Sequence, residues 1–507
     1  MTPLPTSSLS GIPRPTPSPP PSLPWGPTRE QYDRATELVA AMSVEEQAGQ
    51  VLVADYPSVE AAIALVRDLH VGGVIVMDGN VDSADQLRQD IGAIQAARNR
   101  PYPLAVGVDQ EGGRVARIGA PLTEFPTLMT LGATGDRALA RRAARGSGEE
   151  LRALGFTMVF APVADVTTGP DDPTIGSRSA SSDPAIVTDV VSGAVRGYAD
   201  AGIIAVAKHF PGHGSVPADS HLELPVQAAT LAELRRRDLV PFAAAIDARV
   251  PAVMMAHIDV PDLDAGVPSS LSPEVLGLLR DEFGFDGVVV TDAQNMAAVT
   301  EAYGAGEAAV RALEAGVDVV LMPADARAAH AAIVTAVADR RLSVDRLAEA
   351  ATRVVALLIR QDEGGTAPPP AVVGTHKLLS YLVSLAGMTV VSGPCRGALV
   401  GDSIRITGGT QTDRNRLAEA ASTAGLAVGS GDTVRLLGGG RPGSGDVVVA
   451  LDTPYGLASS DATTARIALY GRTPSAFRAL ADVLTGKATG GGTLPVDVPN
   501  VERAGCR

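Results

Sequence analysis

The stretch Ile203-Ile-Ala-Val-Ala-Lys-His-Phe-Pro-Gly-His-Gly214 reads as a strand that stops in a polar, glycine-rich turn. Its first half is a continuous apolar run, the pattern of a strand covered on both faces. Seven more runs share that pattern: Gln50 to Ala54, Gly72 to Met77, Leu104 to Asp109, Phe156 to Val166, Ala252 to Val260, Gly287 to Asp292 and Val317 to Pro323. Helical patterns separate most of them, among them Asp136 to Leu154, Pro184 to Ala201 and Pro273 to Glu282. Eight β-then-α units over about 300 residues predict a (β/α)8 TIM-like barrel. An open, doubly wound sheet is the alternative at this level.

The barrel is expected over residues 28–360, closing with a helix from Val344 to Arg360. Residues 361–374, which include Glu363-Gly-Gly-Thr-Ala-Pro-Pro-Pro370, read as a linker. Residues 375–507 read as a smaller α/β domain, with a helix over Thr375 to Leu385. Strands follow near Ala398 to Val400, Thr433 to Leu437 and Val447 to Leu451, then a helix over Pro474 to Leu484. Residues 1–27 form a Pro/Ser/Thr-rich arm, expected to be extended and disordered. The arm has no apolar h-region, so it is not a secretory signal peptide as written, which points to the cytoplasm. Tethers of this composition also follow export signals and lipid anchors, so a cell-envelope or secreted location stays open.

Composition removes whole classes of function. A net charge of −15 argues against a nucleic-acid partner or an anionic membrane surface. No apolar run is long enough for a membrane span. The two cysteines, Cys395 and Cys506, exclude a disulfide scaffold and a cysteine zinc cluster and leave their own pairing open. Oligomeric state is not legible. Aromatic residues make up only 3% of 507, which disfavours stacking platforms for polysaccharide chains.

In such barrels the chemistry sits at the C-terminal ends of the strands. That rule selects Asp109-Gln-Glu-Gly-Gly-Arg114, Asp165, Lys208 to Gly214 with Asp219-Ser-His221, His257 and Asp292. His209 and His213 have the i, i+4 spacing of metal ligands on a helix. Pro211, Gly212 and Gly214 make a helix unfavourable there, so no metal is expected. Asp165 and His257 read as buried partners, and Glu111 as a brace for its loop. There is no G-x-S-x-G elbow, P-loop or dinucleotide fingerprint. A carboxylate facing an acid across a cleft fits glycoside hydrolysis, which needs no organic cofactor either. Asp292 is the natural nucleophile. His221 suits the acid and then the base near neutral pH, with Asp219 fixing its ring.

Lys208-His-Phe-Pro-Gly-His-Gly214 followed by Asp219-Ser-His221 and Pro225 closely resembles the signature of bacterial β-N-acetylglucosaminidases of glycoside hydrolase family 3. Similar agreement holds for Asp109-Gln-Glu-Gly-Gly-Arg-Val115 with Arg117, for Phe160-Ala-Pro-Val163 with Asp165, and for Ile175-Gly with Arg178. It holds again for Pro268 to Pro273, Phe285-Asp-Gly287 and Thr291-Asp292. The resemblance implies a retaining mechanism through a covalent glycosyl-aspartate, with Asp292 as nucleophile and Asp219–His221 as acid/base on a mobile loop. It implies that Asp109, Arg117, Arg178, Lys208 and His209 hold a terminal N-acetylglucosamine, and that the second domain is an αβα sandwich with a scaffold or accessory role. Gly212 and Gly214 are expected to let the loop close. Many members carry a second acidic residue after the nucleophile, where this chain has Ala293-Gln294.

The expected function is therefore an exo-acting enzyme on a small soluble glycan or muropeptide. A β-glucosidase, a phosphorylase of the same family and a non-catalytic sugar-binding protein are the alternatives. The shortage of aromatic rings sharpens this to a pocket that grips one terminal sugar with charged groups.

Overall fold

A computed structural model describes residues 22–502, 505 and 506. The eight apolar runs are eight strands: β1 (Leu52–Ala54), β2 (Gly73–Val76), β3 (Ala105–Val108), β4 (Met158–Val159), β5 (Ile204–Phe210), β6 (Ala252–Met255), β7 (Val288–Thr291) and β8 (Val320–Leu321). All are parallel where they pair, in the order β8-β1-β2-β3 and β7-β6-β5-β4. Two seams close the ring. Thr157 and Phe160 N–H donate to the Val106 and Val108 carbonyls, joining β3 to β4. Thr291 N–H donates to Val319 O at 2.9 Å, joining β7 to β8. The closed barrel, not the open sheet, is the fold. Its strands are buried throughout, which is why they read as unbroken apolar runs.

Caps legible in the sequence set several helices. Ser43 and Glu46 make a reciprocal capping box before Val44–Gln50. Asp136 caps Arg137–Leu154, which ends at Gly155 with φ 100°. The helix expected to stop at Arg360 runs on to Glu363.

The disordered arm expected over residues 1–27 needs correction at its end. Trp25 is 3% exposed, packed edge-to-face on Tyr32, and Ser22 pairs with Thr28. Burying one large ring outweighs the extended tendency of the prolines around it. Residues 1–21 lie outside the described part.

The second domain carries a six-stranded sheet of β9 (Thr389–Ser392), β10 (Ser403–Gly408), β11 (Ala427–Val428), β12 (Asp432–Leu437), β13 (Ser444–Ala450) and β14 (Asp461–Ala468), ordered β9-β14-β13-β12-β10-β11. Only β9 runs antiparallel to its neighbour. No strand forms at Ala398 to Val400, where one was expected; β10 begins at Ser403 instead. That strand is only partly covered, so it lacks a continuous apolar run.

One face of this sheet, with Val447, Val449 and Ile467, packs under helices Lys377–Gly387, Gln411–Thr423 and Pro474–Leu484. The alternate residues, Val448, Ala450, Ala468 and Tyr470, pack on Met129 and Ala133 of the barrel and on Leu494, Val496 and Val498. Hydrogen bonds stitch the joint. Thr127 Oγ1 donates to Tyr470 O at 2.6 Å, Thr493 N–H to Ala133 O at 3.0 Å, and Ser181 Oγ to Pro495 O. Cys395 and Cys506 form a disulfide, settling the pairing left open.

Candidate active site

Strand ends bring the polar groups together. After β3 the chain turns through a hairpin, Gln110–Gly112 with Val115–Ala116, made possible by Gly112 and Gly113 at φ 96° and 60°. Asp109 and Glu111 are two residues apart, so both face the same rim. At the end of β5, pairing with β6 slips between Ala207 and Phe210. Lys208 and His209 then line one cavity, which regular strand alternation would forbid. The Lys208–His209 and Phe210–Pro211 peptide bonds are cis.

A buried charge cluster forms the floor. Glu111 accepts from Arg178 Nε at 2.9 Å and Nη2 at 2.8 Å, and from Lys208 Nζ at 2.7 Å. Lys208 Nζ also donates to Asp109 Oδ1 at 2.7 Å. Arg117 reaches Asp109 at 3.7 Å and Asp78 at 3.3 Å. Burial alone would raise Glu111, but Arg178 and Lys208 hold its carboxyl well below the usual range. Burial likewise opposes the charge on Lys208, and Asp109 and Glu111 more than restore it.

Asp165 supports the next layer. It is fully buried and accepts from His209 Nδ1 at 2.7 Å and His213 N–H at 2.7 Å. That leaves His209 Nε2 toward Arg178 Nη2, at 3.3 Å. Asp292 follows β7, its N–H bonded to Met255 O and its Oδ1 accepting from Ala293 N–H at 2.8 Å. Burial pushes Asp292 upward, but His209, His257, the Ala293 N–H and Lys208 bring its pKa down to about 2. It is an anion at neutral pH, as a nucleophile must be. His257 is buried and held by Ser270 and the Ala293 carbonyl, a structural partner as expected.

Asp219 and His221 lie on the segment after β5. Asp219 Oδ1 sits 2.7 Å from His221 Nδ1 and also accepts the His221 N–H. Gly212 and Gly214 were expected to act as hinges. In the structure each also allows close packing: an added Cβ would lie 2.7 Å from Asp238 Cβ or 2.5 Å from Val166 O.

The cavity bounded by these groups measures about 310 Å³, near the lower end of the ~300–1,000 Å³ usual for small-molecule sites. Asp109, Arg117, Arg178, Lys208, His209, His221 and Asp292 all line it; Asp219 stands behind His221. No Phe, Tyr or Trp is among the described residues lining it. Glu111, read as a loop brace, turns out to be the centre of the ion-pair floor. The period-two spacing from Asp109 was the signal for it. Arg117 Nε and Thr174 Oγ1 are buried in this lining without a hydrogen-bond partner among the described residues.

A closed (β/α)8 barrel with an ionised carboxylate after β7 and an imidazole–carboxylate pair after β5 defines a glycoside hydrolase. The model described as the glycosyl hydrolase family 3 N terminal domain matches residues 43–357, and the chain belongs to that family. Beta-hexosaminidase LpqI of Mycobacterium tuberculosis is 39% identical over 292 residues, spanning 56% of this chain and 74% of that protein. A solved family 3 β-N-acetylglucosaminidase from Paenibacillus sp. str. FPU-7 matches with a TM-score of 0.81 at 31% identity, covering 90% of this chain and 99% of that one. The β-glucoside phosphorylase BglX matches with a TM-score of 0.81 at 19% identity, covering 93% and 97%, a likeness of fold alone.

Proposed function

We propose that this chain is an exo-acting, retaining β-N-acetylglucosaminidase that releases terminal N-acetylglucosamine from small soluble glycans, peptidoglycan fragments among them. One observation carries the reading: the Asp292 carboxylate and the His221 imidazole line the same small cavity, over a floor of Asp109, Arg178 and Lys208. Relatives named for this activity support it.

In the first step Asp292 attacks the anomeric carbon, and His221 gives a proton to the departing oxygen. In the second, His221 takes a proton from water as water displaces Asp292 from that carbon. The anionic state of Asp292 suits attack and departure alike. Asp219 keeps the imidazole in one tautomer and orientation. Lys208, Arg178 and Arg117 offer directional donors to sugar hydroxyls, and Asp109 accepts from them. With no aromatic ring among the described residues of the lining, the cavity suits one terminal sugar.

Trapping with an N-acetyl-5-fluoro glycoside, followed by peptide mapping, tests the nucleophile. The adduct is expected on Asp292; an adduct elsewhere overturns the assignment. Rates on nitrophenyl N-acetyl-β-glucosaminide and β-glucoside test the sugar, and preference for the glucoside overturns it. Accumulation of a sugar 1-phosphate in phosphate buffer would mark a phosphorylase.

A further inference from the structure

We infer that the hydrogen bond between Ser220 and His213 is the latch that sets the Asp219–His221 pair over the cavity, making both of them positioning residues for the acid/base. The inference rests on the reading of His221 as that group. Ser220 sits between the two members of the pair and, like His213, lines the same cavity. It is 1% exposed, whereas the His221 side chain is 64% exposed. Its Oγ lies 2.9 Å from His213 Nε2.

His213 is a fixed point. It is buried, its N–H is held by Asp165 Oδ1, and its ring meets His209 edge to face at 5.9 Å. Asp165 also holds His209, so one buried carboxylate sets a sugar-facing imidazole and, through His213 and Ser220, the acid/base. Burial, with His209 adding to it, pushes His213 down to about 4. At neutral pH its ring therefore keeps one N–H and one bare nitrogen, and a serine hydroxyl can match either.

The segment is tied at its two ends, by Ser215 Oγ to Asp238 and by Asp259 N–H to the Pro225 carbonyl, and between these ends Ser220 makes the inward bond among the described residues. The hydrogen bonds of Asp219 run to His221, Leu222 and Glu223 within the same turn. Leu222 is 75% exposed. A side chain misplaced by about 1 Å can cost about 10²-fold in rate. Losing the one inward bond of this turn would therefore appear as partial loss of acid/base catalysis.

The test uses Ser220→Ala in the full chain, with an alkyl and a dinitrophenyl N-acetyl-β-glucosaminide. Ser220→Ala is expected to lower kcat/KM on the alkyl glycoside about 10- to 100-fold, and on the dinitrophenyl glycoside less than about 3-fold. Deglycosylation needs the base, so kcat on the dinitrophenyl glycoside should also fall. Azide should restore that kcat, displacing Asp292 from the anomeric carbon and yielding the glycosyl azide without needing a base. In a His221→Ala background, Ser220→Ala should cause no further loss, which a merely structural role would not produce. Activity of Ser220→Ala within twofold of wild type on the alkyl glycoside, or losses that multiply with those of His221→Ala, overturns the latch. If His221→Ala loses equally on both glycosides, the acid/base reading itself fails.

Discussion

Arg178 holds Glu111 through two nearly parallel hydrogen bonds of 2.9 and 2.8 Å, in a place where the carboxylate is 1% exposed. Glu111 thereby fixes a guanidinium that also faces the sugar cavity. Removing its charge leaves Arg178 and Lys208 with Asp109 as their shared counter-ion. Glu111→Gln should cost about 3 kcal/mol in denaturant unfolding and raise KM far more than it lowers kcat.

The same residue gives a pH signature. Its folded carboxyl is depressed below the ordinary 4.5, so its contribution is complete above that value and is lost as pH falls through the folded one. Below about pH 4.5 the stability of Glu111→Gln should therefore decline less steeply than wild type, by about one proton. Equal slopes in acid unfolding would contradict this.

His221→Ala should lose far more activity on alkyl glycosides than on activated aryl ones. An acid matters only where the leaving oxygen cannot depart unaided. The expected gap is about 10²-fold or more in kcat/KM, read from a series of leaving groups.

Asp238 is a buried carboxylate of the opposite kind. It takes Ser215 Oγ at 2.9 Å and Arg237 Nε at 2.9 Å, yet burial still pushes its pKa up to about 6. A raised carboxyl is a burden above pH 6 that is relieved as pH falls toward 4. Asp238→Asn should therefore gain on wild type as pH rises from 4 to 6, by on the order of 3 kcal/mol at most, and level off above. A constant difference across that range would refute it.

Cys395 and Cys506 close a loop spanning 111 positions. Reduction should lower stability by about 2–5 kcal/mol while leaving turnover on a nitrophenyl substrate at ambient temperature unchanged. Calorimetry with and without reductant, alongside the assay, checks both halves.

The barrel was legible because its strands are covered on both faces, so that Ile203 to Lys208 and its seven counterparts stand out as apolar runs. Strand β10 was missed because exposed Arg405 and half-covered Thr407 leave no such run. In the site, Asp292, Asp109, Lys208 and His221 were found from their place after strands and from family resemblance. What sequence could not reveal was pairing across distance. Glu111 meets Arg178 from 67 residues away, and Asp165 meets His213 from 48. Ser220 carries no charge and flags nothing until the fold sets it beside His213.

Three residues beyond Arg178, Ser181 donates to the backbone of Pro495. The polypeptide that carries the cavity-lining Arg178 is thus anchored by a proline more than three hundred positions downstream. Cutting the gene after the barrel's last helix would remove that anchor and bare Met129 and Ala133 to water. A substitution in the tail, remote from the cavity, would thus act on the shape of its rim through the backbone.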